Sequence, residues 1–138
     1  MKYLFTILLI LMMASTAWAM DWHDTNQVTI AWDNPTELSS GAPVPEDNTI
    51  SNIIYVAPDE DKAQKVEVGE TPNTEYTITL DSEGKYLVGV KSVRLDAEGN
   101  QLSESIIAWS DDPELVKTEV FGILHYFSLK PASGLSPQ

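Results

Sequence analysis

Leu80-Asp-Ser-Glu-Gly-Lys-Tyr-Leu-Val-Gly-Val-Lys-Ser-Val93 is the stretch whose reading decides the fold. A strand ends at Leu80, a polar turn follows, and a second strand starts at Tyr86 with Val88 and Val90 on one face. Upstream, Thr74 to Leu80 alternates, which directs Tyr76, Ile78 and Leu80 inward. Downstream, Asp96-Ala-Glu-Gly-Asn100 is a tight turn whose glycine supplies a positive φ. It leads into Leu102 to Trp109, read as the closing strand of a hairpin.

The same period continues outward. Val28-Thr-Ile-Ala-Trp32 puts Val28, Ile30 and Trp32 on one face, and a tryptophan there is a large core residue. Asp33 to Thr49 is rich in Pro, Gly and Ser and reads as a long surface loop. Ile50 to Ala57 is a third strand, with Ile53 and Tyr55 expected inward and Ile54 and Val56 outward, although the run is apolar on both faces. Pro58 to Asp61 is a turn, and Lys65 to Val68 a short edge strand with its charges toward water. Six short strands separated by turns predict an all-β antiparallel sandwich. Asp112-Pro113-Glu114 can open one helical turn, with Asp112 as the cap.

Three features together resemble the fibronectin type III family, an immunoglobulin-like β-sandwich. They are Trp32 on the second strand, the spacing from Leu80 to Tyr86, and the strand Tyr86-x-Val88-x-Val90-x-Ser92. In that family a leucine six residues before a tyrosine marks the tyrosine corner, and a tryptophan plugs the core from the second strand. The resemblance spans about Gln27 to Ser110. It implies a structural core containing Trp32, Leu80, Tyr86, Val88 and Val90, with the Tyr86 hydroxyl bonded to backbone near the corner. Some family members bind integrins through Arg-Gly-Asp between the last two strands; Asp96 to Asn100 lacks that triplet.

The chain departs from the family at both ends. Only eight residues, Met20 to Gln27, precede strand residue Val28 in the mature chain, so the first strand is missing or very short. The segment 111–138 reads as a C-terminal extension, with an apolar strand at 120–127 and a frayed tail from Pro131. That apolar strand must be covered. Val120, Phe121, Ile123, Leu124, Tyr126 and Phe127 are therefore candidate interaction residues. They either lie along the sandwich edge that the short first strand leaves open, or dock on another subunit or partner by strand addition.

Residues 1–19 combine Lys2, an apolar run to Met13 and Ala17-Trp-Ala19, the layout of a signal peptide. The apolar run is shorter than the about 20 residues that span a bilayer. The expected location is therefore exported, periplasmic or extracellular, with no membrane span after cleavage and a sandwich domain at 20–110. Removing Lys2 with this segment leaves 7 basic against 21 acidic side chains, a formal charge of −14 over 119 residues. Such a charge repels nucleic acid and anionic lipid. The sequence has no cysteine, so the domain must stand on its core alone.

No cofactor, metal or catalytic residue is expected. His23 and His125 lie at opposite ends of the sequence, and neither Asp59-Glu60-Asp61 nor Asp96 to Asn100 has the spacing of a calcium loop. No Gly-x-Ser-x-Gly elbow is present. The leading functional expectation is a non-catalytic exported interaction or assembly module, meeting an unknown protein partner or itself through strand edges and the 33–49 loop. The alternative is a carbohydrate-binding accessory domain, with Trp22 or Trp109 stacking on sugar. A small hydrolase without a recognisable motif is the third reading.

Overall fold

In this computed structural model residues 19–138 are described. The expected signal peptide lies outside them, apart from Ala19. Nine strands form among the described residues, and no α-helix does: β1 Asp21–Asp24, β2 Gln27–Ala31, β3 Thr49–Pro58, β4 Val66–Thr71, β5 Glu75–Thr79, β6 Gly84–Leu95, β7 Gln101–Glu104, β8 Ala108–Trp109 and β9 Phe121–His125. One sheet runs β1-β9-β6-β3-β4, with β7 and β8 also on β6. The second sheet is β2 paired with β5 alone. Ile30 and Ile78 from the small sheet meet Ile54, Val56, Val88 and Ile123 from the large one, which is a β-sandwich core.

Trp32, Leu80, Tyr86, Val88 and Val90 all belong to this core or pack against it. The Tyr86 hydroxyl donates to the carbonyls of Ser82 at 2.9 Å and Glu83 at 3.2 Å, pinning the turn after β5 to the start of β6. Asp112 caps a single turn: its carboxylate accepts from the Glu114 N–H at 3.0 Å, and its carbonyl accepts from Val116 N–H at 3.1 Å.

The facing of β3 is the reverse of the expectation. Ile54 and Val56 point into the sandwich, while Ile53 and Tyr55 lie on the opposite face of the sheet. The cause is register. Ile54 pairs with Val90 and Val56 with Val88, so the inward face of β6 fixes that of β3. Tyr55 stays buried on the outer face beneath Lys91, whose Nζ lies 5.7 Å from the ring centroid. The closing strand expected at 102–109 is also broken in two. Ser105 and Ser110 accept the Ser92 and Val88 N–H groups through their hydroxyls, at 3.0 Å each.

The first strand is present and four residues long. It runs parallel to β9, pairing Asp21 with Phe121 through Asp24 with Leu124. On its other side β9 pairs antiparallel with β6, from Tyr86–Ile123 to Gly84–His125. So β9 is an inner strand, and the sandwich extends to His125 rather than closing at residue 110. Trp22 and Trp109 both pack on the large sheet. Each lies on the outer face over a glycine, and a Cβ on Gly122 would stand 2.5 Å from Trp22, one on Gly89 2.9 Å from Trp109. Lys85 and Lys62 cover the two indoles at 5.2 and 5.7 Å.

The Asp96 turn joins β6 to β7. Gly99 there has φ +85°, and the Asp96 carboxylate accepts from the Asn100 N–H at 2.8 Å and the Glu98 N–H at 3.0 Å. The Asn100 backbone bond, then the Asn100 side chain and Glu98, hold its pKa below the ordinary 3.8. A lowered carboxylate pKa contributes stability above the unfolded value, and the contribution is lost as pH falls through the folded value. Asp96→Asn should therefore lower the melting temperature at neutral pH, with the gap to the parent closing as pH falls below 3.8.

The inner position of β9 predicts a contrast in urea unfolding. Ile123→Ala should cost about 2–5 kcal/mol. Leu129→Ala, in the exposed segment beyond β9, should stay within about 0.5 kcal/mol.

Candidate functional site

Among the described residues β2 has a partner, β5, on one side only. Trp32 N–H donates to Thr74 C=O at 2.9 Å, and Leu80 N–H to Asn26 C=O at 2.7 Å. With the unbroken register between them, the even-numbered residues of β2 face β5 with both backbone groups. Gln27, Thr29 and Ala31 then direct theirs out of the free edge. At Gln27 that edge is closed locally: Thr25 Oγ1 accepts the Gln27 N–H at 3.1 Å and donates to the Gln27 carbonyl at 2.8 Å. Among the described residues Thr29 and Ala31 have no such cap. Their backbone groups form a short strand edge open to pairing.

The open part of the edge borders an apolar groove of about 620 Å³. Ile30, Ala31 and Trp32 form one wall. Val88, Val90 and Ala108 form the floor, and Ile106, Leu115 and Val116 the far side. Strand spacing explains the gap. Two strands about 4.8 Å apart cannot cover a sheet several strands wide, so the inward face of the large sheet runs out beyond β2. Ile106 is 81% exposed and Leu115 51%, unusual for large aliphatic side chains that flank a core. The Trp32 indole Nε1 is buried in the same wall without an acceptor among the described residues.

Among the described residues the charged side chains lining the groove are Asp33 and Lys117, 3.6 Å apart and both highly exposed at its mouth. The 33–49 loop is tied down rather than free-standing. Asn52, fully buried, donates to Asn34 Oδ1 at 2.9 Å and to Asn73 C=O at 3.2 Å, and accepts from Ser92 Oγ at 2.9 Å. Farther along, Arg94 reaches Asn48 Oδ1 at 3.2 Å, and Glu37 bridges to Pro43 within the loop itself. Only its first residues, Asp33 and Pro35, reach the groove.

The six candidate interaction residues divide sharply. Val120 and Ile123 are buried, Phe121 and Leu124 half-buried within β9, and only Tyr126 and Phe127 are exposed. β9 itself is thus covered by β1 and β6, and the accessible apolar surface begins where it ends. The β1–β9 pairing brings His23 and His125 onto adjacent strands. His23 is exposed beside Asp21 at 3.3 Å, while His125 is buried, edge-on to Phe127 at 5.0 Å. No group of three or more His, Asp or Glu converges as a metal site among the described residues.

Sequence reading passed over Thr29, Ala31, Ile106 and Leu115. Leu115-Val116, set between Glu114 and Lys117, is the visible sign of apolar groups without a place in the strand pattern; Ile106 is hidden inside the run read as the closing strand, Leu102 to Trp109. Comparison with protein-family models, curated proteins and solved structures finds no match to the chain.

A proline scan of β2 tests the edge. Ala31→Pro removes an N–H that faces solvent and should change stability by no more than about 0.5 kcal/mol. Ile30→Pro removes a bond to β5 and should cost about 3 kcal/mol or more, both read from thermal unfolding.

Proposed function

We propose that this chain is a non-catalytic, exported protein-interaction or assembly module of the fibronectin type III type, which takes a partner polypeptide along the free edge of β2. The observation that carries the reading is the uncapped edge at Thr29 and Ala31 beside an apolar groove. Strand addition needs both: backbone groups supply affinity, and the groove takes alternate side chains of the added strand. The family assignment is supported by the Tyr86 hydroxyl bonds at the corner, the Trp32 core contact, and a β2–β5 sheet facing a larger one. Export is supported by the composition of residues 1–19.

A carbohydrate-binding accessory role would draw on Trp22 and Trp109, which lie on the outer sheet face. Lys85 and Lys62 already occupy the space over both indoles. The β2 edge is the better-supported surface.

A photo-crosslinking side chain placed at Ile106, with Glu60 as the exposed control, tests the reading in the native cells. Polypeptide adducts at 106 and none at 60 are expected. A clean groove position, or equal labelling at both, would contradict strand addition there.

A further inference from the structure

The segment that leaves β9 has the pattern the β2 edge requires. In Tyr126-Phe-Ser-Leu-Lys130, Phe127 and Leu129 alternate with polar Ser128 and Lys130, and Pro131 ends the run. An added strand of this sequence would send Phe127 and Leu129 to one face and the polar pair to the other. Both apolar side chains are unburied, Phe127 at 64% and Leu129 at 94% exposure. Among the described residues no strand covers them.

Charge matches as well. All 21 acidic residues lie between Asp21 and Glu119, and residues 120–138 carry Lys130 and no acid. The segment can therefore approach the acidic body of another molecule without like-charge repulsion.

The segment cannot serve its own groove. Phe121 lines the groove, and β9 carries the chain away from it to His125 beside Gly84. Phe127 lies six residues further along extended chain, roughly 20 Å away at about 3.3 Å per residue. There its N–H is held by Glu83 Oε1 at 2.6 Å. Leu129, two residues on, has no length left to return.

From this geometry we infer that the occupant of the groove is Tyr126–Lys130 of a second copy, added as a strand to β2 with Phe127 and Leu129 in the groove. The inference rests on the strand-edge reading of function and names its partner. Each molecule then carries one donor segment and one acceptor edge. The contact is heterologous, so it closes into a ring, of which the reciprocal pair is the smallest, or builds an open chain.

Two disabled variants separate the two roles. Phe127→Asp with Leu129→Asp removes the donor and leaves the acceptor; Ala31→Pro removes the acceptor edge and leaves the donor. Ile106→Glu is a second acceptor variant that leaves the backbone untouched. By sedimentation velocity, the parent chain should gain mass as its concentration rises, and each variant alone should stay monomeric. Mixing a donor-dead with an acceptor-dead chain should give a 1:1 dimer and nothing larger. A parent chain that is monomeric throughout overturns the inference. So does a donor-dead variant that assembles like the parent, or a mixture that stays monomeric. Adducts at Ile106 that contain a different polypeptide and no second copy would keep the docking surface and reject this occupant.

Discussion

A sheet of two strands faces a sheet five strands across, and the rest of the molecule is arranged around that mismatch. The hydrophobic face of the large sheet has to be kept from water, and β2 and β5 cover only part of it. β9 extends the large sheet between β1 and β6 and brings Ile123 under the core, yet it widens the face that needs covering. On the small sheet, β2 ends the layer with a strand edge. Thr25 closes that edge at Gln27, and among the described residues nothing equivalent follows at Thr29 and Ala31. The groove and the open edge thus share one cause, a facing sheet that stops one strand short.

Polar groups keep the rest of the sandwich rigid around the gap. Asn52, buried between the sheets, ties the long loop, the β4–β5 turn and β6 to one point through three hydrogen bonds. A buried amide satisfied in this way fixes the positions of the segments it joins, because any shift leaves a polar group unpaired. At the opposite end the Tyr86 hydroxyl performs the same task on the turn before β6. The sandwich is therefore held at both ends while the outer edge of β2 stays open, which is the pre-organised state that strand addition favours.

Much of the sandwich was legible in the sequence because its strands obey a period of two. Val28, Ile30, Tyr76, Ile78 and Leu80 could be assigned to the core from alternation alone. β3 could not: Ile53-Ile54-Tyr55-Val56 is apolar on both faces, and Tyr55 is buried on the outer face with the Lys91 ammonium over its ring. The break between β7 and β8 was hidden because serine hydroxyls replace backbone acceptors there, a substitution that leaves no mark on hydropathy. The apolar run at 120–127 was visible as something that must be covered. Its division into a buried strand and an exposed end depends on where β6 and β1 stop. The free edge of β2 was least legible of all, because it is set by the strand that does not pair there.

The open edge at Ala31 is the centre of this account, and amide hydrogen exchange measured over a wide range of chain concentration tests it most directly. In dilute solution the Ala31 amide should exchange fast while its neighbour Ile30, bonded to β5, exchanges slowly. As concentration rises the Ala31 amide should become protected. An Ala31 amide already slow in dilute solution, or one whose rate never changes with concentration, would contradict the account.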